Sequence, residues 1–268
     1  MPLRWIAVFL LATALMGCLE PPALRPRAPT PGVPYITLTS YNVNLDMSGD
    51  ASTVAAVGNS SADVLCLQEV NAAWRDTLRE AYGETYPFIA FTGETSGGLA
   101  VLSKYPFRDL GVTESFEGWH PAWHVLVDSP IGPLQLLLVH LRAPYTRREG
   151  LGGVFTAEDS HVTQLSTVAE KCAADVPTVV LGDFNESTDG AAVRFLERRG
   201  FKNALPLFRP GEETWHYERS IYGQTVDTLD HILYDDATLD PLNAYVRYVG
   251  RSDHYPVTVL LERRPDYN

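Results

Sequence analysis

Strand-length apolar runs that stop on paired polar residues are the feature that most constrains this chain. Residues 177–186 read PTVVLGDFNE: an apolar run turns at Gly182 and presents Asp183, Asn185 and Glu186 in quick succession. The pattern recurs. YITLTSYNV (35–43) carries Asn42 and precedes Asn44, DVLCLQEV (63–70) carries Gln68 and Glu69, and PLQLLLVHL (133–141) carries His140. TLDHILY (228–234) contains Asp230, and YPVTVLLE (255–262) follows directly on Asp253 and His254. GGLAVLSKY (97–105) and AWHVLVD (122–128) complete the runs of strand length. Residues i and i+2 of an extended segment face the same way, so Asp183 and Asn185 are expected to point into one space at a sheet edge. A buried carboxylate without a partner costs several kcal/mol. Several of them at strand ends are tolerated together if they share a cation or pair with imidazoles, so the set argues for a metal site.

Between the runs, apolar residues three or four apart predict helices over 51–57, 72–81, 157–174 and 190–199. Lys171 near the end of the third, and Arg198 and Arg199 at the end of the fourth, suit the negative end of a helix dipole. The order strand, helix, strand appears early and again as PLQLLLVHL, helix, PTVVLGDFN. Such mixing predicts a layered α/β or α+β fold, and the repeat suits two sheets packed face to face with helices outside.

The N-terminus reads differently. Residues 1–18, MPLRWIAVFLLATALMGC, have Arg4 ahead of an apolar run, Ile6 to Leu15, that is too short for an ordinary membrane span. Leu15-Met16-Gly17-Cys18 resembles a bacterial lipobox. That implies cleavage before Cys18, lipid on the Cys, and an exported protein on a membrane; plain secretion and an uncleaved anchor helix are the alternatives. Residues 19–34 are Pro-rich and are expected to form an extended spacer outside the fold. Residues 35–268 then make one domain. The net charge is −12, and no basic stripe of the kind that grips nucleic acid is evident; Arg142, Arg147 and Arg148 come nearest. Cys66 and Cys172 are expected as buried free thiols, with a disulfide as the alternative.

SYNVN, LCLQEV, GGLAVLSKYP, VHL, GDFNE, TLDHIL and SDHYPV, in this order, resemble the motif set of the endonuclease/exonuclease/phosphatase superfamily. The resemblance spans roughly residues 35 to 263 and implies a four-layered α/β sandwich that hydrolyses phosphate esters with water and Mg²⁺, Mn²⁺ being able to substitute. It implies metal ligation by Glu69, Asn42 and Asp253; Asn44 stands where some members have an Asp. Asp183 would orient or deprotonate the attacking water, Asn185 would hold water or phosphate oxygen, and His254 would donate to the phosphate with Asp230 as its partner. His140 matches a second phosphate-binding His. Thr214, beside Trp215, and Arg142 are substrate-side candidates, and Trp119 and Tyr145 would line the mouth. His120, His124, His161, His216 and His231 match no catalytic motif and read as structural or exposed. A nuclease is the first expectation for an exported member, a phosphodiesterase or phosphatase acting on phospholipid or inositol phosphate the second, and an inert surface binding protein the third. The chain is expected to be a monomer.

Overall fold

The structure is a computed structural model and describes residues 22–114, 120–144, 152–219 and 223–265. Cys18, Trp119, Tyr145, Arg147 and Arg148 lie outside the described residues. The strands are β1 (Tyr35–Asn42), β2 (Val64–Gln68), β3 (Phe88–Thr92), β4 (Leu99–Ser103), β5 (Phe107–Thr113), β6 (Ala122–Ser129) and β7 (Gly132–His140). They continue as β8 (Thr178–Asp183), β9 (Phe201–Asn203), β10 (Trp215–Arg219), β11 (Gly223–Asp227), β12 (Asp230–Asp235), β13 (Leu239–Val246) and β14 (Val257–Arg263). The helices are α1 (Ala51–Gly58), α2 (Ala72–Tyr82), α3 (Gly152–Ala169), α4 (Ala191–Glu197) and α5 (Ala204–Phe208).

Two six-stranded mixed sheets, in the orders β13-β14-β1-β2-β4-β3 and β5-β6-β7-β8-β12-β9, pack face to face. Side-chain alternation makes the layers. Ile36, Leu38, Val64 and Cys66 of one sheet meet Leu136, Leu138, Val179, Leu181 and Ile232 of the other in a core between them. The opposite faces pack outward: Leu65 and Leu67 against Trp74 and Leu78 of α2, Leu137 and Val180 against Leu165 of α3 and Val193 of α4. Each fully buried aliphatic side chain contributes ~1.5–3 kcal/mol, so the sandwich is held by burial on four surfaces. Asp50 caps α1 by accepting from the Thr53 N–H at 2.8 Å, and Asn71 caps α2 through the Trp74 N–H at 2.9 Å.

Two crossovers decide where the site falls. β1-α1-β2 and β7-α3-β8 each join parallel neighbours, which a hairpin cannot do. Parallel strands end on the same edge, and here the ends of both units, Asn42 with Gln68 and His140 with Asp183, are paired residues.

Three expectations change. The Pro-rich segment is docked from residue 24: the Leu24 N–H donates to the Leu207 carbonyl (2.7 Å), the Arg27 N–H to that of Leu242 (2.9 Å), and Thr30 binds both carboxylate oxygens of Glu262 (2.6 and 2.9 Å). Its missing periodicity reflects an extended strap held through backbone groups. The third helix begins and ends earlier than 157–174, at Gly152 and Ala169. Cys66 and Cys172 are free, as expected, but only Cys66 is buried; Cys172 is half-buried.

Candidate active site

The inner faces of the strands run from hydrocarbon to polar groups at one edge. Leu136 and Leu138 lead to His140, Val179 and Leu181 to Asp183, Leu38 and Ser40 to Asn42, and Ile232 back to Asp230. Pairing sets His140 and Asp230 on either side of Asp183. Gly182, with φ +149°, lets β8 approach β7 where a Cβ would collide with the Val139 carbonyl.

Across the gap, the Asn42 amide nitrogen donates to Asp183 Oδ2 at 3.0 Å and to Glu69 Oε1 at 3.1 Å. Its oxygen accepts from the Asn44 N–H at 3.1 Å. The turn after β1 then reaches two further acids: the Leu45 N–H donates to Glu69 Oε2 (3.0 Å) and the Asn44 amide to Asp253 Oδ1 (2.8 Å). Residues 42–45 thus tie Glu69, Asp183 and Asp253 to one turn. Asn44, Glu69 and Asn185 all have left-handed backbones, with φ of 58°, 62° and 51°. Each such conformation costs on the order of 1–3 kcal/mol and persists only where the surroundings impose it. For Asn185 this corrects the extended-chain expectation. The chain turns after Asp183, so the two side chains are not strand neighbours. Instead the Asn185 N–H donates to Asp183 Oδ1 (2.9 Å) and its amide to the Leu141 carbonyl (2.9 Å).

His254 Nδ1 lies 2.8 Å from Asp230 Oδ2, and its Nε2 lies 3.6 Å from Asp183 Oδ2. His140 Nε2 approaches the same Asp183 oxygen at 3.5 Å while its Nδ1 meets the Ser96 carbonyl at 3.1 Å. Burial works against charge on His254, yet the carboxylates of Asp230 and Asp183 hold its pKa up to about 10. Burial pushes Asp230 up to about 6 despite that imidazolium. At neutral pH the two form an ion pair. Burial also opposes ionisation of Asp183, but His254 and His140, with the Asn185 N–H and Asn42 amide, outweigh it and hold the carboxyl below its usual range. Burial lowers His140 and raises Glu69.

Two buried carboxylates, Asp183 and Asp230, and two half-buried ones, Glu69 and Asp253, around one imidazolium leave an excess of negative charge at the site. The donors on the Glu69–Asp253 side are oxygens, which suits a hard divalent cation. Asp183, Asp230 and His254 also offer ligand atoms within 4.8 Å of one another. A cation held by His254 would take the place of the proton on the coordinating nitrogen, whereas Glu69 and Asp253, which line the same cavity, offer only oxygens. Asn42 turns its amide nitrogen, not its oxygen, toward the carboxylates.

The other candidates fall in two groups. Thr214 is fully buried; its hydroxyl accepts from the Leu229 and Asp230 N–H groups at 2.9 Å each, so it fixes Asp230 in place of meeting substrate. Arg142 is buried, and its carbonyl faces His161 Nε2 at 2.7 Å. A cavity of about 1330 Å³ opens over the centre, lined by Glu69, His140, Asp183, Asn185, Asp253 and His254 among others. His120 lines it too. Its ring centroid lies 3.9 Å from that of His140, its Nε2 is 3.3 Å from the Ser96 hydroxyl, and burial together with His140 lowers its pKa to about 4. Nothing in the HPAW stretch signals this; only the crossing of β6 beside β7 brings it there. Of the remaining histidines, His161 lines the cavity, His124 and His231 are buried, and His216 stacks on Tyr255.

The family model for the endonuclease/exonuclease/phosphatase family matches residues 39–254, from the first of these strands to the terminal His. The chain belongs to that family. Members are phosphoester hydrolases that depend on divalent metal, and so is this chain a hydrolase of that class. Solved structures agree on the fold. A family member from Beutenbergia cavernae is 17% identical with a TM-score of 0.67, over 86% of this chain and 72% of that one. Danio rerio TDP2 complexed with single-strand DNA product is 16% identical (TM-score 0.65; 85% of this chain, 98% of that one). The human Nocturnin catalytic domain with bound sulfate is 18% identical (TM-score 0.62; 86% and 94%). No curated protein matches the chain in sequence.

Proposed function

We propose that this family member is an exported, lipid-anchored, Mg²⁺-dependent phosphodiesterase, with nucleic acid as its first candidate substrate. The observation that carries the reaction is the convergence of Asp183 with the His254–Asp230 pair and Glu69 at one cavity floor. Mg²⁺ would be held by Glu69 and Asp253, with Asn42 steadying Glu69 through its amide nitrogen, and would polarise a phosphoryl oxygen and offset the charge of the acids. Asp183, ionised and buried, takes the proton of the attacking water, help that is typically worth ~10²–10⁴ in rate. Asn185 fixes that water from the turn it shares with Asp183. His254 donates from Nε2 to the phosphate as charge builds there, and Asp230 keeps it protonated. His140 lies ready as a second phosphate-side donor. The anchor rests on the Cys18 lipobox. Among the described residues no helix is long and apolar enough to cross a membrane.

A second reading, hydrolysis of a phospholipid or inositol-phosphate headgroup, is favoured by the outer wall of the cavity. Glu158, Asp189 and Asp227 line it, and Arg194 is the one Lys or Arg among the described lining residues. Such a wall repels a long polyanion more than a single headgroup. A panel of plasmid DNA, RNA, sphingomyelin and inositol phosphates with Mg²⁺ present separates the two. Cleavage of DNA or RNA alone supports the first, cleavage of headgroup esters alone the second, and no cleavage of any contradicts both.

A further inference from the structure

Glu186 closes the GDFNE motif and is used by none of the steps above. It is buried, and three partners converge on it. Its Oε1 lies 2.6 Å from His161 Nδ1, its Oε2 accepts from the Ala192 N–H at 2.8 Å, and its carbonyl lies 2.9 Å from His231 Nε2. Ala192 is in the first turn of α4, whose Gly190 N-cap has no side chain to offer, so Glu186 supplies the missing cap. His161, on α3, is itself 1% exposed, and its other nitrogen lies 2.7 Å from the Arg142 carbonyl. Both ring nitrogens of His161 thus face acceptors, a carboxylate and a carbonyl. A neutral imidazole donates from one nitrogen only; the imidazolium donates from both.

The two segments that His161 joins carry the reaction. Arg142 follows His140 and Leu141 out of β7, and Glu186 follows Asp183 and Asn185 out of β8. Leu141 already accepts from the Asn185 amide, and its N–H donates to the Asp183 carbonyl at 2.8 Å. Past that point the strands are no longer paired to each other, and the left-handed Asn185 has to be held by its surroundings. We propose that His161 and Glu186 form a positioning latch, in which the His161 ring, donating from both nitrogens, fixes the β8 exit turn to the β7 exit and so sets Asn185 and Asp183 for the attacking water. The inference rests on the roles given to Asp183 and Asn185.

The test compares His161→Ala, Glu186→Gln, the double variant and Asp183→Asn in hydrolysis of bis-p-nitrophenyl phosphate with Mg²⁺, at a temperature where circular dichroism shows each fully folded. A 1 Å misplacement costs about 10²-fold in rate, so His161→Ala loses ~10-fold or more in kcat with KM little changed. Glu186→Gln loses several-fold less, because a Gln amide donates to a neutral Nδ1 while Nε2–H keeps the Arg142 carbonyl. The double variant is no worse than His161→Ala alone. Wild-type kcat in folded His161→Ala, while Asp183→Asn is inactive, overturns the latch. Retained activity in Asp183→Asn overturns the catalytic reading instead. Nitrogen-15 spectra of the wild-type His161 ring, at the pH of the assay, serve even if His161→Ala does not fold. Protons on both nitrogens support the latch, and a single proton overturns it.

Discussion

Asp230→Asn isolates what the buried carboxylate does for His254. The substitution keeps the shape and an oxygen for the Nδ1–H, and removes only the charge. At 2.8 Å, a unit charge pair at an effective dielectric of 20 is worth ~6 kcal/mol, or ~4 pH units at 1.36 kcal/mol per unit. Burial opposes the imidazolium and Asp183 supports it from 3.6 Å, and the net result is a rise from 6.5 to about 10. Without Asp230 the first opposing effect, burial, remains while the larger supporting one is gone. The pKa of His254 then falls by at least ~3 units, on the same Coulomb estimate. His254 acts protonated, so activity is lost as pH rises through its pKa, and a lower pKa moves that loss to lower pH. The kcat profile of the wild type stays flat to about pH 9–10 on this basis, and that of Asp230→Asn bends down near neutrality, with a loss of ~10-fold or more at pH 8. An alkaline limb at the same pH in both proteins would refute the pairing as the source of the His254 charge.

Gly182→Ala puts a Cβ against the Val139 carbonyl at a φ of +149°; it should lower the thermal midpoint sharply, and an unchanged midpoint would contradict the close β7–β8 approach. Glu69→Gln should weaken Mg²⁺ binding in calorimetry by ~10-fold or more, as loss of one of its two charged ligands demands; unchanged affinity would place the metal elsewhere. Cys18→Ala should abolish palmitate labelling and move the protein out of the membrane fraction. Unchanged fractionation would count against the lipid anchor.

The two parallel units and the inner–outer alternation were legible because β1, β2, β7 and β8 are buried on both faces and read as apolar runs. The edge strands were not. In β5, FRDLGVT, positions 108–111 are all exposed, so hydrophobic spacing carries no signal. β13 holds Pro241 and a bulge between Pro241 and Asn243, both of which read as loop. At the site, residues on strand ends were visible because a carboxylate or imidazole is out of place in an apolar run. The geometry of Asn185 was not, since the left-handed turn after Asp183 is imposed by Leu141 and the β7 exit, partners 44 positions away. His120 and the burial of Thr214 and Arg142 depend on which loops cross which, and that is settled by the pairing of whole sheets.

The central claim is that Asn42, Glu69, Asp183, Asp230, Asp253 and His254 form one metal-dependent centre for attack of water on phosphorus. Hydrolysis of bis-p-nitrophenyl phosphate by chelator-treated protein, with Mg²⁺ then titrated into the wild type and Asp183→Asn, measures it directly. Wild-type activity should vanish with chelator and return with Mg²⁺, while Asp183→Asn stays ~10²-fold or more below it at every concentration. Turnover that survives chelation, or full recovery of Asp183→Asn, would contradict it.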